Sequence, residues 1–247
     1  MIASVLPPAG TMAGRVAALA WRDIAESLDD RGHATTGPLL AAAECAAIAA
    51  CYDAADAARL FRSRIVMARH GFGRGEYKYL AYPLPEPVAA LRAAFYPELA
   101  AIANRWNGAM GEPRRYPPDH RAYLAQCHAA GQTRPTPLLL RYRSGDYNCL
   151  HQDIYGEHVF PLQIAILLSR PGADFSGGEF VLVEQRPRRQ SRAEVVPLRQ
   201  GEAVIFAVDQ RPVRGTRGVY RVKQRHGVSR LHAGCRHTLG IILHDAR

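Results

Sequence analysis

The stretch RYRSGDYNCLHQD, residues 141–153, ends in a histidine and an aspartate that lie two positions apart in a segment predicted to be extended. Side chains two apart in a strand point to the same face of a sheet, so His151 and Asp153 should lie side by side while Gln152 points away. An imidazole and a carboxylate placed in this way can occupy two positions around a metal ion. The stretch is therefore a candidate metal site whose third ligand must come from elsewhere in the chain.

The third ligand is expected from the downstream histidines, which are His158, His226, His232, His237 and His244. Two histidines and one carboxylate on one face of an octahedron leave three positions open, as a non-haem Fe(II) oxygenase requires. A chelating co-substrate such as 2-oxoglutarate also needs a cation at its far end, and a guanidinium pairs bidentately with a carboxylate. Nine residues separate His226 from Arg236, and Thr238 should share the face of Arg236. The segment 226–245 can thus supply both the ligand and the cation.

The order of these motifs, HxD, then 72 residues, then H-x9-R, resembles the Fe(II)- and 2-oxoglutarate-dependent dioxygenase superfamily. The resemblance extends over residues 136–246 and implies a double-stranded β-helix, which is a distorted jelly roll. Gly177-Gly178-Glu179 and the segment PLRQGEAVIF, residues 197–206, are similar to the prolyl-hydroxylase-like branch of the superfamily. The implied cofactors are Fe(II), 2-oxoglutarate and O2, with ascorbate as a reductant. The implied iron ligands are His151, Asp153 and His226, and the implied co-substrate residues are Arg236 and Thr238.

The pattern R-Y-x-x-G-x4-L-H-Q-D in residues 141–153 resembles the AlkB family of nucleic-acid dealkylases. This resemblance implies that Tyr142 hydrogen-bonds 2-oxoglutarate, and the segment HGVSRLHAG selects His226 over its rival His232. Residues 66–87 are similar to the nucleotide-recognition lid of that family. The aromatic residues of this segment, which can stack on a base or pack beneath a lid, are Phe72, Tyr77, Tyr79 and Tyr82.

The sequence departs from the AlkB pattern at two points. Leu140 stands where that family has an asparagine, and Arg236 lies closer to His226 than the corresponding arginine does in that family. The second half of the motif is thus closer to the hydroxylase branch. The departures bear on the substrate and not on the use of iron and 2-oxoglutarate.

The positive charge of the chain is concentrated in one segment. Residues 186–236 contain thirteen arginines and lysines but three acids, so this segment carries the whole formal charge of +10. Such a concentration suits a polyanion such as nucleic acid. The alternative is a general preference for arginine in this chain, which has Lys78 and Lys223 as its lysines.

The pattern of apolar residues predicts a mainly β protein with flanking helices, an α+β chain of 247 residues that forms a single domain. Residues 1–135 should contain helices and the lid-like segment, and residues 136–247 the double-stranded β-helix core. The predicted helices are 12–31, 40–52, 87–110 and 119–130. The predicted strands are 64–68, 138–143, 148–153, 162–169, 179–184, 203–208 and 238–244, with a Gly-rich loop at 70–79.

The five cysteines, Cys45, Cys51, Cys127, Cys149 and Cys235, are scattered and form no CxxC motif. This distribution favours reduced, buried thiols and a cytoplasmic protein. No run of about 18 apolar residues is present, so the sequence predicts no membrane span. His158, His237 and His244 are expected at the surface or around the metal ligands.

The sequence therefore predicts a dioxygenase that oxidatively dealkylates or hydroxylates a nucleic-acid base, with DNA repair as its role and alkylated DNA or RNA as its partner. A hydroxylase of a protein side chain such as proline, or of a small metabolite, is the alternative, with a peptide or a small molecule as substrate. A third possibility, from another class, is a catalytically inactive binding module that keeps the fold.

Overall fold

The computed structural model describes residues 10–55, 57–154, 156–216 and 218–247. Its helices are α1 (Met12–Ala17), α2 (Trp21–Arg31), α3 (Ala42–Ala50), α4 (Ala57–Leu60), α5 (Glu86–Ala109) and α6 (His120–Ala129), with 3-10 turns at Cys51–Asp53 and Met67–Arg69. Its strands are β1 (His33–Pro38), β2 (Phe61–Val66), β3 (Gly73–Arg74), β4 (Glu76–Leu80), β5 (Leu138–Arg143), β6 (Tyr147–His151), β7 (Leu162–Leu167), β8 (Phe175–Gly177), β9 (Phe180–Gln185), β10 (Arg192–Val196), β11 (Glu202–Ala207), β12 (Gln210–Gly215), β13 (Gly218–Val228) and β14 (Leu231–Ile241).

Two antiparallel sheets form the core. The major sheet has the order β1-β11-β7-β14-β5-β4-β2, with β8 added against β14. The minor sheet has the order β10-β9-β13-β6-β3, with β12 also paired to β13. The prediction of a mainly β protein with flanking helices is confirmed.

The helices cover the major sheet on the side away from the minor sheet. The 24-residue helix α5 buries Leu91, Phe95, Leu99 and Trp106, and these side chains belong to the same apolar cluster as Ile164 of β7, Ile205 of β11 and Leu239 of β14. Alternate residues of those strands therefore face the helices, and the residues between them face the minor sheet. No helix in the part of the chain that the structure describes is long and apolar enough to cross a membrane.

The predicted helix 12–31 is wrong in one respect, because the chain forms two helices with a break at residues 18–20. The indole Nε1 of Trp21 donates to the carbonyl oxygen of Val16 at 2.9 Å, and it satisfies a carbonyl that a continuous helix would have used. The predicted stop at Gly32 is confirmed. Gly32 has φ +77°, and a Cβ there would lie 2.2 Å from the side-chain amide of Gln224, so a glycine is required.

Several strands were not predicted. The Gly-rich segment predicted as a loop contains β3 and β4, and the strands β1, β8, β10, β12 and β13 have no counterpart in the prediction. The predicted strand 148–153 ends at His151, because the side chain of Gln152 and not its backbone bonds the carbonyl oxygen of Gln224 on β13. This bond, with a second one to Asp209, holds the side-chain amide of Gln152.

Candidate active site

A cavity of about 610 Å³ lies between the two sheets and contains the residues that the motifs selected. The minor sheet contributes His151 at the end of β6 and His226 on β13, with Asp153 just beyond β6. The major sheet contributes Tyr142 from β5 and Arg236 and Thr238 from β14, which are residues of the inner face. The fold therefore gathers all six predicted site residues around one cavity.

His151, Asp153 and His226 form a group that can hold a metal ion, since their ligand atoms all lie within 4.8 Å of one another. The Nε2 atoms of His151 and His226 are 3.6 Å and 3.5 Å from the two carboxylate oxygens of Asp153. His151 Nδ1 donates to the carbonyl oxygen of Cys149 at 2.8 Å, which leaves its Nε2 lone pair directed at Asp153. Two nitrogens and one carboxylate oxygen are thus already turned toward a common point.

His226 is held in place by aromatic packing. Its ring centroid lies 4.6 Å from that of Phe206 and 6.1 Å from that of Phe180, with which it is stacked. Burial, with a further contribution from His151, lowers the pKa of His226 well below its ordinary value. A neutral imidazole is the form that binds metals, so the surroundings of His226 favour that form.

The other histidines lie elsewhere. His232 is exposed on β14 and does not belong to the triad, which is the group of potential metal ligands found among the described residues. His237 is half-buried, with its ring 5.9 Å from that of Tyr52. His244 is fully buried, contrary to a surface position, and its Nδ1 accepts a hydrogen bond from the backbone N–H of Phe160.

Arg236 lines the same cavity as His226 and is 3% exposed. Its Nη1 donates to Thr238 Oγ1 at 2.6 Å, and it faces Tyr142 directly across β14 and β5. Nε of Arg236 has no hydrogen-bond partner, and the guanidinium forms no ion pair with any carboxylate of the described residues. Burial lowers the pKa of Arg236 to about 10. A buried cation without a counter-charge is costly, so this part of the cavity is suited to an anion.

Tyr142 is completely buried beside Arg236, with the guanidinium carbon 5.7 Å from its ring centroid. Its hydroxyl makes no hydrogen bond of ordinary length within the described part of the chain. Burial raises the pKa of this hydroxyl, which therefore stays a neutral donor. A Cβ on Gly75, which has φ +114°, would lie 2.9 Å from Tyr142 Cδ1, so this glycine lets β4 approach the tyrosine ring.

Gln163 is a cavity residue that sequence reasoning missed. It is 3% exposed on β7, and its Nε2 has no hydrogen-bond partner among the residues described. The residue stands opposite Phe206 of β11, whose ring packs on His226. Gln163 therefore presents an unused donor at the metal end of the cavity.

The mouth of the cavity is lined by aromatic and apolar side chains. Phe72 is 47% exposed and stacks on His70, with ring centroids 5.3 Å apart, and Leu150 is 45% exposed. Tyr77 and Tyr79 line the wall inside the mouth. Of the aromatic residues predicted for the lid, Tyr82 lies outside the cavity lining, because its hydroxyl donates to Asp245 at 2.8 Å.

The sequence model of one protein family matches this chain. The family is Oxygenase-NA, described as an oxygenase catalysing oxidative methylation of damaged DNA, and the match covers residues 75–246. Uncharacterized proteins from two strains of Mycobacterium tuberculosis, CDC 1551 / Oshkosh and ATCC 25618 / H37Rv, are each 49% identical over 164 residues. The aligned part is 66% of this chain and 70% of each relative.

Solved structures resemble the fold over most of the chain. An oxidoreductase of the 2OG-Fe(II) oxygenase family from Burkholderia pseudomallei has a TM-score of 0.54 at 16% identity, over 92% of this chain and 93% of that one. A Trichoplax adhaerens prolyl hydroxylase, in complex with a hypoxia inducible factor peptide fragment, has a TM-score of 0.54 at 13% identity, over 89% and 86%. The expected jelly-roll fold is confirmed. Since the family match covers well over half of its residues, the chain belongs to the Oxygenase-NA family of oxygenases and has the fold of the 2-oxoglutarate- and Fe(II)-dependent enzymes.

Proposed function

We propose that the chain is an Fe(II)- and 2-oxoglutarate-dependent dioxygenase that oxidises an alkylated nucleic-acid base. The observation that carries the proposal is the buried guanidinium of Arg236, which has no carboxylate partner among the described residues and lines the same cavity as the metal-binding triad. A small dicarboxylate with one end on Arg236 and the other at the triad satisfies both groups.

The iron ligands in this proposal are His151, Asp153 and His226. The donor set, two imidazole nitrogens and one carboxylate, is the one that suits non-haem Fe(II) and leaves positions open for a chelating co-substrate and oxygen. When bound, iron with 2-oxoglutarate and O2 supplies the oxidant that places a hydroxyl group on a substrate C–H bond. The protein positions the reactants and limits the access of water.

In this proposal the far carboxylate of 2-oxoglutarate binds beside Arg236, Thr238 and Tyr142. Arg236 provides the charge, and Thr238 fixes the guanidinium through the 2.6 Å hydrogen bond to Nη1. Tyr142, directly across the strand pair from Arg236, offers its unused hydroxyl. Gly178, with φ +65°, lets the turn before β9 pack closely here, since a Cβ would lie 3.2 Å from Arg236 Cδ. At the other end Gln163 offers its Nε2–H to the ligand beside the metal.

A methylated base in DNA or RNA is the substrate that the observations support best. The matching family is described by its action on damaged DNA, and the mouth offers Phe72 and the Tyr77–Tyr79 pair as flat surfaces for an extruded base. Hydroxylation of an N-methyl carbon gives an N-hydroxymethyl group, which breaks down to formaldehyde and the unmethylated base. The reaction that we propose is therefore demethylation, and with it a role in DNA repair.

The proposal is tested in two steps. Anaerobic titration of the protein with Fe(II) and 2-oxoglutarate should produce the metal-to-ligand charge-transfer band of the chelate. Aerobic incubation with methylated oligonucleotides should then release formaldehyde and succinate in equal amounts. If the charge-transfer band appeared but no methylated base released formaldehyde, the assignment of the cofactors would stand and the assignment of the substrate would be rejected.

Hydroxylation of a peptide is the second candidate. It is favoured by the Gly177-Gly178-Glu179 turn, in which both glycines have positive φ, and by the likeness in fold to a prolyl hydroxylase in complex with a peptide. A mass gain of one oxygen atom on a proline-containing peptide, with succinate formation, would favour this candidate over the base. For a small-molecule substrate, succinate formation would be coupled to oxidation of that molecule, and neither the oligonucleotide nor the peptide would be oxidised.

We also propose that the chain forms one domain. Strands β1, β2 and β4, from the first 135 residues, pair within the major sheet, and β3 pairs with β6 of the minor sheet. The two parts of the chain on either side of residue 135 therefore share one core. All five cysteines are free thiols, which supports a reducing location such as the cytoplasm.

A further inference from the structure

The net charge of the protein comes from residues 186–236, because the rest of the chain has equal numbers of basic and acidic residues. Part of this charge is used internally, since Arg186 and Arg211 both bind the buried carboxylate of Glu184. The exposed basic residues of the segment are Arg188, Arg189, Arg192, Arg199, Arg214, Arg221, Lys223, Arg225 and Arg230. The active-site cavity contains none of them.

Some of these cations line a concave surface that we name the basic cleft. It consists of two adjoining grooves of about 580 Å³ and 320 Å³ between the β9–β10 turn and the β12–β13 hairpin. Its cations are Arg186, Arg188, Arg189, Arg221 and Lys223. Among the described residues no aspartate or glutamate lines either groove, and two glutamines and a threonine add polar groups.

Three of the five cations of the cleft have no carboxylate partner among the described residues, while Arg186 binds Glu184. Arg188, Arg189 and Lys223 form no ion pair with any described carboxylate, whereas Arg221 binds Glu112 at 2.7 Å. Unpaired cations in a groove raise the local potential and attract anions. Four of the five cations are arginines, whose planar fork matches phosphate oxygens. A groove also receives a chain more readily than it receives the flat surface of a membrane.

Strand β13 connects the basic cleft to the active site. Exposed and buried residues alternate along it, so that Arg221 and Lys223 point outward while His226 points into the cavity. His226 lies five positions after Arg221, or about 17 Å along the strand at 3.3 Å per residue. Leu150, on the neighbouring strand β6, is half-exposed and lines the cavity.

We propose that the basic cleft binds the phosphodiester backbone of the nucleic-acid strand whose modified base enters the cavity. The inference rests on the proposed function, and it adds that the substrate is a polymer and not a free nucleotide. Phosphate contacts of this kind fix the position of the strand without reading its sequence.

The test uses the full-length protein with Arg188→Gln, Arg189→Gln and Lys223→Gln combined. These side chains are exposed and unpaired within the described residues, so the variant should fold normally. Fluorescence anisotropy with a single-stranded 15-mer should show at least a tenfold loss of affinity at low salt. The slope of log K against log salt should fall by about 2, since each lost phosphate contact on a single strand contributes about 0.7.

The matched control replaces three exposed arginines outside the cleft, Arg59, Arg121 and Arg247, by glutamine and has the same net charge. It should bind the 15-mer as the unmodified protein does. Equal losses in the two variants would mean that only total charge matters and would overturn the proposal. If the 15-mer bound no more tightly than a trimer, the proposal would also be overturned. A third contradicting result would be a cleft variant that loses binding to phosphatidylserine vesicles but still binds the oligonucleotide.

The reaction is measured separately, as succinate formed with a methylated nucleoside that is too short to reach the cleft. Equal nucleoside turnover in the cleft variant and the unmodified protein, with weaker binding of the 15-mer, supports the proposal. If the 15-mer bound through the cleft but no methylated base was oxidised, the proposed function would be rejected. The proposal that the cleft binds nucleic acid would still stand.

Discussion

His151 and His226 stand directly opposite each other on the antiparallel strands β6 and β13, with ring centroids 4.2 Å apart. Strand pairing therefore fixes the distance between the two imidazoles. Asp153 follows the end of β6, and its carboxylate lies 3.6 Å from Nε2 of His151, which completes the group.

Changing Asp153 to Ala should abolish the charge-transfer band with Fe(II) and 2-oxoglutarate, because two imidazoles alone bind a hard cation weakly. Changing His232 to Ala is the control and should leave the band intact, since His232 is exposed and outside the triad. Anaerobic absorption spectroscopy measures both. A band that persists in the Asp153 variant, or disappears in the His232 variant, would show that the ligands are wrongly assigned.

Changing Arg236 to Met should raise the dissociation constant of 2-oxoglutarate by about 10- to 100-fold, because hydrogen bonds to a charged group contribute about 1.5–3 kcal/mol each. The charge-transfer titration gives this constant directly. Arg143→Met is the matched control, since Arg143 is an exposed arginine next to Tyr142 on β5. If the two variants bound 2-oxoglutarate equally well, Arg236 would not be the anchor.

Changing Gln163 to Leu should stabilise the protein in the absence of metal and co-substrate by about 1 kcal/mol, because it removes a buried donor without a partner. The same change should slow turnover, since the donor at the metal end is lost. Gln132→Leu is the contrasting variant and should destabilise the protein. The amide of Gln132 is completely buried and bonded to Asp245, Glu157 and His158. Urea unfolding of the two variants tests the difference in sign.

His120 predicts a loss of stability in mild acid. Burial, with a smaller contribution from Arg92, lowers its pKa from an ordinary value of 6.5 to about 4. Between these two values the unfolded chain binds a proton that the folded protein does not, so the free energy of unfolding falls as the pH falls from 6.5 to 4. The full effect is about 3 kcal/mol. His120→Gln keeps a donor for the carbonyl oxygen of Leu243 and should flatten this part of the profile. An unchanged pH profile would contradict the assignment.

The sequence was sufficient to predict which side chains share the cavity, because each motif places its residues on one strand or on one pair of neighbouring strands. His151 and Asp153 are separated by one residue, and Arg236 and Thr238 follow the same alternation. Local spacing then determines which side chains share a face, whatever the rest of the fold is.

Features that depend on distant contacts could not be predicted. Gln163 lies within an apolar run, LQIAILL. The neighbouring residues in the sequence do not indicate whether its side-chain amide finds a hydrogen-bond partner in the fold. Strand β13 carries so many charged residues that its alternation resembles a polar loop. The break after α1 depends on the indole of Trp21 turning back to Val16. These details become visible only when packing partners are known.

Strand β13 also limits how the sequence can vary. Its exposed residues lie outside the core, so one can replace another without disturbing the core. A residue inserted or deleted between Arg221 and His226 would instead turn the strand over beyond that point, so that an arginine would enter the cavity and the imidazole would face water. Relatives should therefore differ in the composition of this short segment much more freely than in its length.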